Sequence, residues 1–313
     1  MLALWIFLYL LAAFCIASGI LSWKISGMLL HPKIWDYSAV VDEEEKRGHY
    51  TRAWFESECH LEEFTLRSQY GYDLHCALWP RSEGAAFADG KRRVAVIAHG
   101  YTYCLLGSIK YARIFHDLGF DCVLYDQRNH GLSGKAPTTM GYFESRDLSL
   151  VCDWALERFG SDAVIGTHGE SMGAATVMLH APQYPKLSFV IEDCGYSSLF
   201  EQVRHNIRTS FHLPNVPFVP LSNLFFRLRG GVFYGQVAPV EAVKQCGKLP
   251  MLFIHGEEDT FVPYEMVHVN YAAKPEPKEI RTFPGAAHAK SLSSDPDGYR
   301  ACVKAFLEHA GVL

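Results

Sequence analysis

The sequence predicts an α/β protein in which helices cover both faces of a mostly parallel sheet, with an inserted helical cap and an N-terminal membrane helix. Three observations lead to this prediction. Strand-like apolar runs alternate with helical patterns from about residue 94 to the end. A serine flanked by glycines stands between a predicted strand and a predicted helix. Residues 1–23 carry no charged side chain.

The composition is that of a globular protein with room for one large α/β domain. The chain has 313 residues, of which 49% are hydrophobic and 20% are charged. Its formal net charge is −5, and a nucleic-acid-binding protein would instead show a basic patch or stripe. We therefore predict no nucleic-acid partner, and the sequence does not indicate an oligomeric state.

The N-terminal segment, residues 1–23, is long enough to cross a bilayer as a helix. A cleaved signal peptide would begin with basic residues and end a shorter apolar core at a small-x-small site. Here the first charge is Lys24, and the apolar run continues beyond Ala17-Ser18-Gly19. A buried core helix is the alternative. The pattern favours an uncleaved membrane anchor.

The charges beside the anchor predict its orientation. No Lys or Arg precedes it, whereas Lys24 and Lys33 follow it closely. The cysteines stand singly, without a Cys-x-x-Cys pair or a cluster of zinc spacing, which is typical of free thiols in a reducing compartment. We expect a single-pass membrane protein whose domain lies on the cytoplasmic side. An exported domain tethered outside is the alternative.

The anchor is followed by a connecting region, residues 24–60, and by an α/β domain, residues 61–313. The connecting region mixes aromatic and charged side chains, and we expect its acidic run 42–45 on a solvated surface. The domain begins with two alternating segments, 61–67 and 74–79, which predict a β-hairpin.

The rest of the domain shows a regular alternation of strands and helices. Short apolar runs rich in β-branched residues predict buried strands, and longer runs with helical periodicity predict the helices between them. The strands are predicted at 94–98, 121–125, 163–167, 189–191, 250–254 and 279–283, and the helices at 109–118, 148–159, 264–273 and 299–309.

One interruption of this alternation, residues 196–246, predicts a cap inserted at the sheet edge that carries the serine. Leu199, Val203 and Ile207 form a helical stripe at its start. A proline-rich stretch follows, and then two aromatic pairs, Phe225-Phe226 and Phe233-Tyr234. These aromatic side chains either line a substrate pocket or pack the cap onto the core.

The segment Gly169-Glu170-Ser171-Met172-Gly173 matches the G-x-S-x-G nucleophile elbow. A turn this tight needs glycines for steric clearance, and it lifts the serine hydroxyl above the sheet edge. The following helix begins at the serine, so its N-terminal N–H groups can stabilise negative charge there. We predict Ser171 as a nucleophile and a structural role for Glu170.

A serine nucleophile needs a base, and the base needs an acid that orients it. His288 lies in a loop of small residues after a strand, whereas His268 and His309 lie in predicted helices. His288 is therefore the predicted base. Asp193 and Asp259 both follow a strand, and both are candidates for the acid.

Five motifs together resemble the α/β-hydrolase superfamily, from about residue 61 to the C-terminus. They are His99-Gly100-Tyr101, the segment 126–133, the elbow 169–173, the segment 256–263 and the segment 285–288. The resemblance implies the α/β-hydrolase fold, with Ser171 as nucleophile, Asp259 rather than Asp193 as acid, and His288 as base. It also implies an oxyanion hole made by the backbone N–H groups of Tyr101 and Met172. Asn129 stands where the family usually has glycine, and because asparagine tolerates positive φ we expect the turn to survive.

The resemblance implies a serine hydrolase that cleaves carboxylic esters through an acyl-enzyme, acts on a small-molecule ester or acyl substrate and needs no metal or organic cofactor. An anchor before such a domain is similar to bacterial membrane-associated hydrolases of unassigned substrate. A thioesterase or a serine peptidase is the alternative, because the same triad serves any acyl transfer. A non-catalytic membrane-tethered binding protein would not need all three residues in this order.

Overall fold

The computed structural model describes residues 1–313 and contains eight strands and twelve α-helices. The strands are β1 (Glu62–Arg67), β2 (Asp73–Trp79), β3 (Arg93–Ala98), β4 (Asp121–Tyr125), β5 (Val164–Glu170), β6 (Leu187–Asp193), β7 (Met251–Gly256) and β8 (Lys278–Phe283). The helices are α1 (Leu2–Leu30), α2 (Tyr37–Lys46), α3 (Arg52–Glu58), α4 (Ile109–Asp117), α5 (Glu144–Phe159), α6 (Met172–His180), α7 (Leu199–Thr209), α8 (Asn215–Gly230), α9 (Pro239–Val243), α10 (Glu265–Ala273), α11 (Ser291–Ser294) and α12 (Pro296–His309).

The strands form one sheet in the order β1-β2-β4-β3-β5-β6-β7-β8. β1 and β2 form the predicted antiparallel hairpin, β2 also pairs antiparallel with β4, and all the remaining pairs are parallel. Parallel strands covered on both faces are apolar throughout, and every residue of β3 and β4 is buried. The predicted fold class, with its mostly parallel sheet, is confirmed.

Two hydrophobic cores lie on the two faces of the sheet. Successive side chains of a strand point to opposite faces, and along β3 Val94 and Val96 join one core while Ala95 and Ile97 join the other. The core that contains Val94 and Val96 is covered by α5, α6 and α10. The core that contains Ala95 and Ile97 is covered by α4 and α12. The carboxyl ends of the parallel strands are left for the loops that carry the predicted site residues.

Three helices, α7, α8 and α9, form the cap between β6 and β7, as predicted. The proline-rich stretch is helical, although proline disfavours the interior of a helix. Val216 has non-helical angles, so the regular part of α8 begins at Pro217. The first four N–H groups of a helix have no intrahelical acceptor, which lets Pro217 and Pro220 both occupy this turn.

The first helix, α1, has 29 residues and a length of about 43 Å, and its length and composition would let it span a membrane. It continues seven residues past the predicted limit of the anchor at Trp23. Its C-terminal part packs against α8, and Ile25 and Leu30 are buried there. Residues 24–30 therefore belong to the helix, not to a connecting segment.

The acidic run 42–45 lies on α2, and one of its members is buried. Glu44 is fully enclosed, lies 2.6 Å from His49 Nδ1 and forms an ion pair with Lys110. The helical period places Glu44 on the same face as Val40 and Val41, and both valines belong to the core. The expectation that the whole run is solvated is wrong at this residue.

Candidate active site

Ser171 lies in a sharp turn between β5 and α6, with φ 55° and ψ −112°. A non-glycine residue adopts such angles only when its surroundings enforce them. A Cβ atom at Gly169 would lie 2.6 Å from the backbone nitrogen of Ala174, and one at Gly173 would lie 2.8 Å from the carbonyl oxygen of His99. The two glycines of the motif are therefore required because backbone passes directly over them.

The loops after β7 and β8 bring Asp259 and His288 to Ser171. His288 Nε2 lies 2.9 Å from Ser171 Oγ, and His288 Nδ1 lies 2.7 Å from Asp259 Oδ2. Asp193 is directed elsewhere, because its carboxylate accepts hydrogen bonds from the hydroxyl groups of Tyr111 at 3.2 Å and Tyr299 at 3.0 Å. The structure thus joins the three predicted residues in one hydrogen-bonded chain and leaves Asp193 out of it.

Asp259 is held as a buried carboxylate by several donors. The backbone N–H groups of Phe261 and Val262 each donate to Oδ1 at 2.9 Å, and His255 Nε2 lies 3.2 Å from Oδ2. Burial raises the pKa of Asp259, but the hydrogen bonds with His255 and His288 outweigh it and hold the pKa at about 2. Sequence reasoning missed His255. Its position at the end of β7 is shared by core histidines, so the sequence held no specific signal for it.

The loop after β3 passes beside the nucleophile. A Cβ atom at Gly100 would lie 3.1 Å from Glu170 Oε1, which is a tight contact, and 3.7 Å from Ser171 Cβ. The N–H of Tyr101 has no backbone acceptor, and Met172 is the first residue of α6, where N–H groups lack intrahelical acceptors. Both groups are available for an oxyanion.

A buried cluster of charges lies beneath the elbow. Lys110 Nζ lies 2.8 Å from Glu170 Oε2 and 3.7 Å from Glu44 Oε1, and the Tyr111 hydroxyl donates to Glu170 at 2.6 Å. Burial alone would raise the pKa of Glu170. The contacts with Lys110 and Tyr111 have the larger effect and lower the pKa to about 2. Burial lowers the pKa of Lys110, and its two carboxylate partners more than reverse that effect. Glu170 thus contacts the charge cluster and not the reacting groups.

An apolar cavity of about 250 Å³ lies near the site, although Ser171, Asp259 and His288 do not themselves line it. Phe261 and Tyr101 border it on the catalytic side, and the Phe261 ring centroid lies 4.9 Å from that of His288. The remaining apolar lining comes from Ile25, Met28 and Leu29 on α1, from Val203 and Ile207 on α7, and from Phe211 just after α7. Such a cavity suits an apolar acyl or aryl group.

The four aromatic residues predicted as pocket candidates do not border this cavity. Phe226 and Tyr234 are fully buried and pack on each other, with ring centroids 4.9 Å apart. Phe225 packs edge-on against Trp23 of α1 at 5.4 Å, and Phe233 is exposed. Phe225, Phe226 and Tyr234 thus pack within the cap or against the anchor helix, and their assignment to a substrate pocket stays a prediction.

One group of side chains combines metal-binding atom types. The ligand atoms of Cys194, Asp259 and His288 lie within 4.8 Å of one another. Burial raises the pKa of the Cys194 thiol well above its usual range, which disfavours the thiolate that a metal would need. Asp259 and His288 are already engaged with each other, so this group coincides with the catalytic candidates.

Two protein families match parts of the chain. The family described as "alpha/beta hydrolase fold" matches residues 96–193, which contain the Ser171 elbow. The "Dienelactone hydrolase family" matches residues 229–306, which contain Asp259 and His288. The uncharacterised protein YqkD of Bacillus subtilis strain 168 is 33% identical over 298 residues, covering 94% of this chain and 93% of that protein.

Several solved structures share the fold. An esterase of Pyrococcus furiosus, Pf2001, superposes with a TM-score of 0.65 at 20% identity, covering 82% of this chain and 93% of its own. GrgF, an α/β hydrolase from Penicillium sp. sh18, gives 0.62 at 17% identity, covering 80% and 99%. An acylaminoacyl peptidase of Pyrococcus horikoshii gives 0.59 at 18% identity, covering 80% of this chain and 41% of its own. At these identities the likeness shows the fold alone.

Proposed function

Because the chain belongs to the α/β-hydrolase superfamily and is a hydrolase by that membership, we propose that it is a serine hydrolase that cleaves carboxylic esters. The observation that carries the proposal is the chain of contacts from Ser171 Oγ to His288 Nε2 at 2.9 Å and from His288 Nδ1 to Asp259 Oδ2 at 2.7 Å. These distances lie within the range for a nucleophile, its base and the group that orients the base.

The reaction begins when Ser171 Oγ attacks the ester carbonyl and His288 Nε2 takes its proton. The N–H groups of Tyr101 and Met172 stabilise the oxyanion of the tetrahedral intermediate, and each donor contributes roughly 3–4 kcal/mol in comparable enzymes. His288 returns the proton to the leaving alcohol. It then activates a water molecule, which releases the acyl group from Ser171. Asp259 remains ionised and stabilises the imidazolium.

The cavity favours a substrate with an apolar acyl or aryl group. Eight of its ten lining residues are hydrophobic, so burial of such a group provides most of the binding energy. A thioester or an amide would meet the same triad. An esterase and an acylaminoacyl peptidase share the fold, and this supports acyl transfer as the reaction type without selecting among these substrates.

A panel of substrates tests the proposal. Purified full-length protein in detergent would be given nitrophenyl esters, acyl thioesters and aminoacyl amides. We expect ester cleavage to have the highest kcat/KM, and Ser171→Ala and His288→Ala to lose turnover by similar factors, because the triad acts as a unit. A higher kcat/KM on thioesters or amides would reassign the substrate class. Turnover that survives Ser171→Ala would reject the mechanism.

The membrane assignment is a further part of the proposal. We place α1 in a membrane and the domain on the cytoplasmic side, because Lys24 and Lys33 follow the apolar segment and no Lys or Arg precedes it. Protease added to intact cells should leave the domain uncut and should digest it after lysis. Digestion in intact cells would reverse the orientation.

A further inference from the structure

We propose that the domain-facing end of α1 forms one wall of the acyl-binding site, so that the substrate is an acyl ester drawn directly from the lipid bilayer. This inference rests on the proposed ester hydrolysis and adds the substrate class and its route. It assigns the helix a role beyond anchoring, as a part of the binding site.

The wall consists of Ile25, Met28 and Leu29, which border the cavity from α1. Ile25 and Leu29 are four residues apart and Met28 is three from Ile25, so the three side chains share one face of the helix. The opposite wall is formed by α7 of the cap. Without this turn of α1, the cavity would lack one side.

The same turn of α1 also contacts the oxyanion loop. The Tyr101 hydroxyl donates to the carbonyl oxygen of Met28, and Tyr101 carries one of the two N–H groups assigned to the oxyanion. Next to it, the N–H of Trp35 donates to the carbonyl oxygen of Thr102 at 3.0 Å. Tyr101 therefore connects the end of the anchor helix to the oxyanion hole, because its hydroxyl contacts Met28 and its own N–H is one of the two oxyanion donors.

The contacts fix α1 against the domain rather than leaving it as a flexible tether. The carbonyl oxygen of Leu30 accepts from the N–H of Thr138 at 2.9 Å. The Arg229 guanidinium of α8 donates to the Trp23 carbonyl at 2.9 Å and to Ser26 Oγ at 3.0 Å, and it lies 4.1 Å from the Trp23 ring centroid. Such contacts hold the cavity wall in one position.

The exposure pattern places the cavity beside the bilayer. Residues 2–17 of α1 are exposed and apolar, and they extend about 24 Å from the domain, which is most of the roughly 30 Å of a hydrocarbon core. Beside α1, α8 exposes Leu224 and Leu228, one turn apart, at 45% and 69%. Arg229 and Trp23 stand where this apolar surface meets the domain, as expected of residues at a membrane interface.

This placement gives an acyl ester a short route from the bilayer to Ser171. A chain that slides along α1 enters an apolar cavity without crossing water, and its carbonyl then lies near Phe261 and Tyr101. A water-soluble ester with a short chain gains little from the cavity. The protein should therefore prefer esters with long acyl chains that partition into membranes.

Filling the cavity from α1 tests the wall directly. Ile25→Trp should lower the ratio of kcat/KM for a decanoyl ester to that for an acetyl ester by at least roughly tenfold, because each lost methylene contact is worth a large factor in such a pocket. The matched control is Ile20→Trp, which lies on the same helix outside the cavity and should leave the ratio within about twofold. Leu29→Ala, which enlarges the cavity, should move the preferred chain length upward and serves if Ile25→Trp does not fold.

The delivery route is tested with full-length protein in phosphatidylcholine vesicles that contain the decanoyl ester. We expect the rate to follow the mole fraction of ester in the bilayer when lipid is added at constant total ester. A rate that stays constant as lipid is added, and so depends only on the total amount of ester, would overturn the membrane route. An equal ratio for Ile25→Trp and Ile20→Trp, with an unshifted optimum for Leu29→Ala, would overturn the wall. If the wild type cleaves neither ester, the proposed function itself fails.

Discussion

Replacing Lys110 by methionine should destabilise the protein more than any surface charge change of the same kind. Lys110 is fully buried and neutralises Glu170 at 2.8 Å and Glu44 at 3.7 Å. Methionine matches its length without the charge, so Glu170 would remain buried without its cation. Glu44 would keep only Arg47 at 4.0 Å and His49 at 2.6 Å. An uncompensated buried charge is one of the few single defects that cost several kcal/mol.

The size of the effect follows from the pKa of Glu170. That pKa falls from an ordinary 4.5 to about 2, and one pKa unit corresponds to about 1.4 kcal/mol, which gives about 3 kcal/mol at neutral pH. Because the folded-state pKa is lowered, this stabilisation is complete above about pH 4.5 and is lost as the pH falls through about 2. Losing Lys110 should cost about 3–5 kcal/mol.

Thermal unfolding in detergent at pH 7 measures this cost. For a chain of this size we expect the Tm of Lys110→Met to fall by roughly 6 °C or more. The control is Lys304→Met, whose partner Glu308 lies 3.8 Å away on an exposed helix face, and which should change the free energy of unfolding by less than about 0.5 kcal/mol. Lys110→Met combined with Glu170→Gln should recover part of the loss. Equal Tm values for Lys110→Met and Lys304→Met would refute the argument.

Three further changes give distinct outcomes. Asp259→Asn should lower kcat by roughly 10⁴ because it favours the wrong imidazole tautomer, whereas Asp193→Asn should retain most of the turnover; the reverse order would reassign the acid. Gly173→Ala should prevent correct folding, because its Cβ would meet the His99 carbonyl at 2.8 Å, and Gly235→Ala, with open space around it, should express normally in the same solubility assay. Phe226→Ala should lower stability by about 3–5 kcal/mol and leave the decanoyl-to-acetyl ratio unchanged; a changed ratio would return Phe226 to the pocket.

The sheet and the elbow could be predicted because their signals are local. Buried parallel strands are continuous apolar runs, and 94–98 and 121–125 were predicted within one residue of β3 and β4. The elbow needs glycines at two fixed positions around Ser171, and the structure gives the steric reason for each. Asn129 adopts φ 66°, as expected from its tolerance of the left-handed region.

The connecting region was harder to predict because its partners lie far away in the sequence. Glu44 belongs to an acidic run that composition alone would place in solvent, yet its cation, Lys110, lies on a different helix. The helix α8 was missed because Pro217 and Pro220 argue against a helix unless both fall in its first turn. The spacing of Glu44 from Val40 and Val41 was the one local signal, and it became readable only once α2 was known to be helical.

The cavity could not be derived from the sequence for a similar reason. Its lining combines α1 with α7, and Ile25 and Val203 meet only after the cap folds over the anchor helix. The aromatic pairs of the cap were prominent in the sequence, but aromatic identity does not show which way a side chain points. His255 was missed because a histidine at a strand end has no pattern that distinguishes an Asp259 donor from a core residue.

Labelling with a fluorophosphonate tests the central claim most directly, because the reagent reacts with an activated serine whatever the natural substrate. Full-length protein would be labelled at neutral pH, digested and mapped by mass spectrometry. Modification should occur at Ser171, should be absent in Ser171→Ala and should be strongly slowed in His288→Ala, since the base lies 2.9 Å from the hydroxyl. A wild-type protein that remains unmodified, or that is modified at another serine, would contradict the proposal that Ser171, His288 and Asp259 form a catalytic triad.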